Sequence, residues 1–299
     1  MKIETSKLRQ RTVDGNDSRP GGGADSGPDG PSVAKILPAL ALVAYVAPLM
    51  ANALAGAGHS PVPWRQAPLT PTGLAPDPAT TPEAVVQVYG APTFSWRGVF
   101  AIHTWIVVKP SGAPAYTRYE VIGWDPPPMI KVDWAAPDGL WYGKRPIVLL
   151  DRRGAGVDGV IERVHMAVGR YPYADRYVVW PGPNSNTFIA HIARSVPELG
   201  LDLPANAIGK DFRELSEAIG KAPSGTGVQV SLLGMLGVMA ALREGIEINI
   251  LGLNLGVDPV GRALRLPGIG RLPFDRFRRG ASPYPVPADE AATGMTKVP

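Results

Sequence analysis

A long uncharged stretch near the N-terminus constrains this 299-residue chain more than any other feature. Residues 36–58 contain no Asp, Glu, Lys or Arg, and a helix of that length crosses the roughly 30 Å hydrocarbon core of a bilayer. The alternative is a buried helix of a soluble core. Because the segment before it is polar and rich in Gly, we expect a transmembrane anchor over residues 33–58.

The charges on either side of this stretch predict its orientation. The chain before it is basic, whereas Arg65 is the first basic residue after it, so we expect a cytoplasmic N-terminus. The main domain of a single-pass inner-membrane protein would then be periplasmic. Residues 51–55 have the small-residue spacing of a signal-peptidase site, but the polar region before the stretch is too long for a cleaved signal peptide, which favours an uncleaved anchor.

The rest of the chain divides by composition. Residues 1–32 have few large apolar side chains and are predicted to be a disordered cytoplasmic tail. Residues 59–83 contain seven prolines and are expected to form an extended spacer, and residues 84–270 a folded domain. Residues 271–299 form a basic, Pro-rich tail. It could touch lipid headgroups or be solvated, and the lack of an amphipathic pattern favours the second.

Short β-rich runs and two helical patterns predict an α+β fold for this domain. The predicted strands cover residues 99–108, 116–124, 129–134, 147–150 and 176–179. Helices are expected at residues 157–171, 185–194 and 211–219. In the first strand both faces are apolar, so we expect it to be buried on both sides.

Two further apolar runs follow the last predicted helix. Residues 228–239 and 246–257 resemble two long strands of a β-hairpin, because Glu247 and Asn249 alternate with isoleucines. A second membrane span over residues 228–242 is the alternative. That segment is too short and contains two glycines, so we favour the hairpin and leave membrane contact of this segment open.

The loop before the second helix ends at a hydroxyl side chain. Pro181, Gly182 and Pro183 interrupt regular structure, after which Asn184 and Ser185 can cap a new helix. A helix N-terminus also stabilises an oxyanion or an activated nucleophile. Ser185 is therefore either an ordinary capping residue or a candidate nucleophile.

A histidine in the first predicted strand is the candidate base. His103 is either a core residue or the partner of Ser185, since a strand histidine that faces a hydroxyl has the geometry that a base and a nucleophile require. Glu120 on the neighbouring strand or Asp133 could orient the imidazole, and adjacency of strands favours Glu120. The candidate catalytic set is His103, Ser185 and Glu120.

Six of the seven tryptophans fall inside the predicted domain. They either fill the core or line a groove for a ligand. The candidate binding residues are Trp105, Trp124, Trp180, Asn184 and Asn186.

Composition excludes several functions. The chain has no cysteine, and none of its four histidines stands at a zinc-ligand spacing, so we expect neither a metal nor a cofactor. The net charge of +4 comes from bases near both ends, so we expect no nucleic-acid partner.

The domain contains six distinctive strings. They are His-Thr-Trp at 103–105, Tyr-Glu-Val-Ile-Gly-Trp at 119–124, Tyr-Pro-Tyr at 171–173, Trp-Pro-Gly-Pro-Asn-Ser-Asn-Thr-Phe at 180–188, Glu-Leu-Gly-Leu-Asp-Leu-Pro at 198–204 and Ala-Ile-Gly-Lys-Asp at 207–211. Together they resemble one uncharacterised bacterial family, domain of unknown function 3750. The resemblance extends over about residues 97–270, and it implies no activity because none is known for the family.

A more distant resemblance concerns circularly permuted papain-like domains of the NlpC type. These have a strand histidine first and later an Asn-Cys-Asn-x-Phe-like motif that opens a helix, similar to His103 and residues 184–188 here. The resemblance implies a permuted papain-like antiparallel sheet with packed helices. Ser185 replaces the nucleophilic cysteine, and a neutral histidine activates a hydroxyl far less readily than a thiol, so cysteine-peptidase activity is not expected.

Two functions follow from these resemblances. The first is a membrane-anchored envelope protein that binds a cell-wall peptide, glycan or lipid in a papain-like groove. The second is a Ser/His acyl hydrolase or amidase that acts on an envelope substrate, with the helix N–H groups as oxyanion donors. Whether the protein is an enzyme or an inactive papain-like relic stays open from the sequence.

Overall fold

The computed structural model describes residues 33–59 and 62–275. The predicted tail at residues 1–32 and nearly all of the tail at 271–299 lie outside this part of the chain. Backbone contacts divide the chain into a unit up to Ala39 and a second unit from Leu40 onward.

The first helix coincides with the predicted anchor. Helix α1 covers Val33–Leu54. Its segment Ile36–Leu54 has a mean hydropathy of 1.8 over 19 residues and is long and apolar enough to cross a membrane. This agrees with the prediction of one membrane helix by length and composition.

The second unit begins with a five-stranded antiparallel sheet in the order β4-β3-β2-β1-β5. Its strands are β1 (Val85–Pro92), β2 (Ile102–Lys109), β3 (Thr117–Val121), β4 (Ile130–Val132) and β5 (Ile147–Arg153). Strand β1 was not predicted, although it pairs with both β2 and β5. Every residue of β2 is buried, as the sequence indicated.

Different layers cover the two faces of this sheet. Helices α2 (Val157–Gly169) and α3 (Ser185–Ser195) cover one face and pack on Ile102, Ile106 and Val108. The other face carries an aromatic core built on Trp105, Trp141 and Tyr142. An α+β fold with an antiparallel sheet is therefore correct for residues 84–212.

The C-terminal part is a second antiparallel sheet in which seven strands follow one another in sequence order. It replaces the predicted long hairpin, because the runs 228–239 and 246–257 each bend at a tight turn into two strands. The strands are β6 (Ile219–Lys221), β7 (Gly227–Leu232), β8 (Leu236–Ala241), β9 (Gly245–Ile250), β10 (Leu253–Asp258), β11 (Ala263–Leu266) and β12 (Gly270–Pro273).

Three short segments also differ from the sequence-based expectation. Residues 211–219 contain one 3-10 turn, Leu215–Glu217, in place of a helix, and residues 176–179 form no strand. Part of the expected spacer packs on the domain: the backbone N–H groups of Leu74 and Ala75 donate to the Asp138 carboxylate. A buried carboxylate that accepts hydrogen bonds fixes this segment against the aromatic core.

Candidate functional site: a buried His-Glu-Arg group beneath tryptophans

Strand β2 directs His103 into the aromatic core, because side chains alternate between the two faces of a strand. The imidazole is 3% exposed, and its Nε2 lies 3.0 Å from Glu120 Oε2 on the adjacent strand β3. The structure thus brings together two of the three predicted catalytic residues. Asp133, the other candidate for orienting the imidazole, accepts a hydrogen bond from the backbone N–H of Arg118 instead.

Arg118 completes this group, and the sequence analysis did not single it out. Its Nη2 donates to Glu120 Oε2 at 3.0 Å, and its Nη1 donates to the carbonyl of Ala136 at 2.6 Å. Its Nε lies 2.7 Å from Glu120 Oε1 but is not aligned for a hydrogen bond. The guanidinium also covers the ring of Trp105 at 4.3 Å, a cation–π contact.

The surroundings set the protonation of this group. Burial lowers the pKa of His103, and the opposing hydrogen bond and charge of Glu120 do not reverse that effect. Burial alone would raise the pKa of Glu120, but the hydrogen bond with His103 and the charge of Arg118 outweigh it and lower that pKa. The imidazole is therefore neutral, with the proton on Nε2 facing an ionised carboxylate.

A column of aromatic rings leads from His103 to the surface. The indole of Trp141 lies parallel to the imidazole, with ring centroids 3.6 Å apart. Trp124 stacks on Trp141 at 6.0 Å and is 54% exposed, and Tyr142 meets both indoles edge-on. Burial, followed by the charges of Glu120 and Asp125, raises the pKa of Tyr142 to about 12, so its phenol stays protonated.

Ser185 lies on the opposite side of the first sheet. It opens helix α3, which packs on the face that carries Thr104, and the Thr104 hydroxyl bonds to Asn186 Oδ1 at 2.8 Å. His103, one residue earlier in β2, faces the aromatic core. The structure therefore does not bring His103 and Ser185 together, because neighbouring strand residues point to opposite faces.

Two of the candidate binding residues form hydrogen bonds inside the fold. Asn184 is the N-cap of α3, and its side chain accepts from the backbone N–H groups of Asn186 and Thr187. The amide of Asn186 donates to the carbonyls of Ile102 and Ile208, at 2.9 and 2.7 Å. Both side chains are buried, so they hold α3 against β2 and do not face solvent.

The remaining candidates are separated. Trp105 is fully buried and donates its indole N–H to the carbonyl of Pro137, whereas Trp124 is exposed in the same aromatic core. Trp180 is exposed and donates to the carbonyl of Leu251 in the second sheet. The aromatic column therefore includes Trp124 and rests against Trp105, while Trp180 belongs to another surface.

An open cleft lies next to Pro137, whose carbonyl accepts the indole N–H of Trp105, and His103 does not line it. It has a volume of about 390 Å³, and its walls include Tyr116, Asp133 and Pro137. Within residues 33–59 and 62–275, no group of three or more His, Asp or Glu side chains is arranged to hold a metal ion.

Comparisons with known proteins agree with one of the two resemblances. Searches of the curated proteins and of the solved structures give no match, and the papain-like resemblance is not confirmed. A family model described as "Protein of unknown function (DUF3750)" matches residues 83–212, which include β1 to β5, α2, α3 and the whole His103–Glu120–Arg118 group. This part of the chain belongs to the DUF3750 family.

Proposed function

We propose that this protein is a membrane-anchored receptor of the bacterial cell envelope that binds a cell-wall glycan on the exposed face of Trp124. The anchor is helix α1, and the positively charged residues that precede it favour a periplasmic position for the main domain. The papain-like resemblance supports the proposal through one feature alone, the order in which His103 on a strand is followed by the helix that begins at Ser185.

One observation supports the binding function above all others. More than half of Trp124 is exposed, yet its ring is held by Trp141, which in turn stacks on the buried His103. An exposed indole fixed from below loses little conformational freedom when a ligand binds. Its flat apolar face matches the C–H face of a sugar ring.

The buried His103–Glu120–Arg118 group beneath Trp141 is suited to hold the tryptophans in place. Glu120 fixes the imidazole through a hydrogen bond, and Arg118 donates to Glu120 in turn. Both side chains are almost fully buried, so no substrate reaches them in this conformation. The hydrolase alternative requires His103 beside Ser185, and the placement of these two residues on opposite faces of the sheet does not favour it. We therefore retain binding as the proposed function.

Cosedimentation with purified cell-wall sacculi tests this proposal. The full chain in detergent micelles is compared with Trp124→Ala and with Trp96→Ala, a matched control because Trp96 is also exposed but lies outside the aromatic column. We expect Trp124→Ala to weaken binding about tenfold, equivalent to about 1.4 kcal/mol. Equal binding by both variants and the unmodified chain would contradict the proposal.

A further inference from the structure

The second sheet has its apolar side chains on the outside. In β7 to β10 the register places apolar side chains away from the domain, and in β7, β9 and β10 it places polar side chains toward the domain, the reverse of the usual order. The outward residues of the four central strands are Val228, Val230, Leu232, Leu236, Val238, Ala240, Ile246, Ile248, Ile250, Leu253, Leu255 and Val257.

A buried polar network fixes this arrangement. Lys210 Nζ donates to Glu247 Oε2 at 2.6 Å on the inner side of β9. The Asp211 carboxylate accepts from the amides of Gln229, Asn249 and Asn254 on three different strands. A shift of one residue would expose these partners and leave buried charges unpaired, so the apolar face stays outward.

Two turns at one end of the sheet extend the apolar surface. Leu233 and Leu251 each have a positive φ of 54° and are followed by Gly234 and Gly252, which also have positive φ. Asn or Asp is favoured at the first position of such tight turns because leucine is strained there. Here the leucines are partly exposed, and Trp180 donates its indole N–H to the carbonyl of Leu251.

The apolar face is continuous with the predicted membrane helix. The Tyr45 hydroxyl donates to the carbonyl of Ile248 at 3.0 Å, in the middle of the sheet. Two residues before the end of α1, Asn52 donates to the carbonyl of Gly268 at 3.1 Å, between β11 and β12. The helix side chains next to these contacts, including Leu42 and Val46, are exposed.

We propose that the outer face of the second sheet contacts the lipid of the bilayer alongside the C-terminal half of α1. This rests on the proposed membrane anchor but not on the proposed glycan ligand. Lipid that surrounds the exposed Val46 and Met50 of α1 also reaches the adjoining outer face of the second sheet. We therefore favour lipid, and not a second copy of the chain, as the partner of this face. Tyr45 lies midway along Ile36–Leu54 and Asn52 lies near its end, so these two contacts place β9 and the β11–β12 turn at the depth of the C-terminal half of the helix.

Single cysteines test this placement, because the chain has none of its own. An environment-sensitive fluorophore is attached to Val238→Cys on the outer face, to Leu42→Cys on α1 and to Glu162→Cys on the exposed side of α2. The full-length variants are reconstituted into phosphatidylcholine vesicles with or without doxyl-labelled lipid. Thermal unfolding of each variant confirms that it is folded.

We expect doxyl lipid to quench the label at Val238 as it quenches the label at Leu42, and to leave the label at Glu162 unaffected. If only the Leu42 label is quenched, the sheet does not lie on lipid and the inference is overturned while the anchor is retained. If none is quenched, the anchor also fails. A short distance between two Val238 labels in different chains, without lipid quenching, would show a dimer interface and overturn the inference.

Discussion

The imidazole of His103 lies flat on the indole of Trp141, with centroids 3.6 Å apart and ring planes 4° from parallel. This contact joins the buried ionic group to the exposed aromatic surface. Arg118 holds Glu120, Glu120 holds the imidazole, and the imidazole packs under Trp141, on which Trp124 stacks. The buried polar group of the first sheet therefore helps to fix the position of the exposed Trp124 ring.

The low pKa of His103 predicts loss of stability in mild acid. The folded pKa is below the ordinary value of 6.5, so the unfolded chain binds the proton more tightly. The stabilisation is fully present above about pH 6.5 and is lost as the pH falls through the folded value, by up to about 1.4 kcal/mol per pH unit. Urea unfolding at pH 7.5 and 5.5 should show a smaller loss in His103→Gln than in the unmodified chain. Equal losses would contradict a neutral, buried imidazole.

Removal of the Glu120 charge should destabilise the domain strongly. Glu120→Gln leaves the Arg118 guanidinium buried without a counter-charge, and loss of one partner of a buried pair typically costs about 3–5 kcal/mol. Glu162→Gln on the exposed side of α2 is the control and should change stability by under about 0.5 kcal/mol. Denaturant unfolding at pH 7.5 measures both. A loss below about 1 kcal/mol in Glu120→Gln would contradict the described pairing.

Alanine substitutions at Asn186 and Ser185 should have sharply different effects on stability, although the two residues are adjacent. Asn186→Ala removes three buried hydrogen bonds, and the Thr104 hydroxyl and the Ile102 carbonyl lose the Asn186 side chain as a partner, whereas the Ile208 carbonyl keeps the Asn184 amide. We expect a cost of about 3 kcal/mol. Among the described residues the Ser185 hydroxyl is assigned no hydrogen bond, so Ser185→Ala should cost under about 1 kcal/mol. If hydrolysis of an envelope substrate is found and Ser185→Ala abolishes it, the assignment of Ser185 to a structural role is wrong.

The buried ionic half of the candidate site could be predicted from the sequence, whereas its aromatic half could not. His103 and Glu120 could be paired because adjacent strands place side chains within reach, and Arg118 stands two residues before Glu120, on the same face. That two-residue spacing is the signal by which Arg118 could have been predicted as a neighbour of Glu120. Trp141 could not be found in this way, because it lies in a loop whose path depends on tertiary packing.

Two other predictions failed for identifiable reasons. The sequence shows that a helix packs near β2 but not which face it covers, and that face decides whether His103 or Thr104 meets helix α3. The sequence pattern predicts two long strands where the second sheet has its four central strands, because Leu233 and Leu251 occupy turn positions where Asn or Asp would have signalled a hairpin.

Glu247 should give the opposite pH dependence to His103. Burial raises its pKa to about 7, despite the nearby charges of Lys210 and Arg265. A raised folded pKa means that stability is fully present below the ordinary value of 4.5 and is lost as the pH rises through about 7. Stability of Glu247→Gln relative to the unmodified chain should therefore increase from pH 5 to pH 8, measured by urea unfolding. A constant difference would place the Glu247 pKa outside this window.

Fluorine NMR of the full chain in detergent micelles, with 5-fluorotryptophan in place of tryptophan, tests the binding role of Trp124 most directly. The Trp124 and Trp96 resonances are assigned by Trp124→Phe and Trp96→Phe, and soluble glycan fragments of the cell wall are then added. The account predicts that the Trp124 resonance shifts in a saturable way while the Trp96 resonance stays in place. Saturable binding that leaves the Trp124 resonance unchanged, or no binding at all, would contradict it.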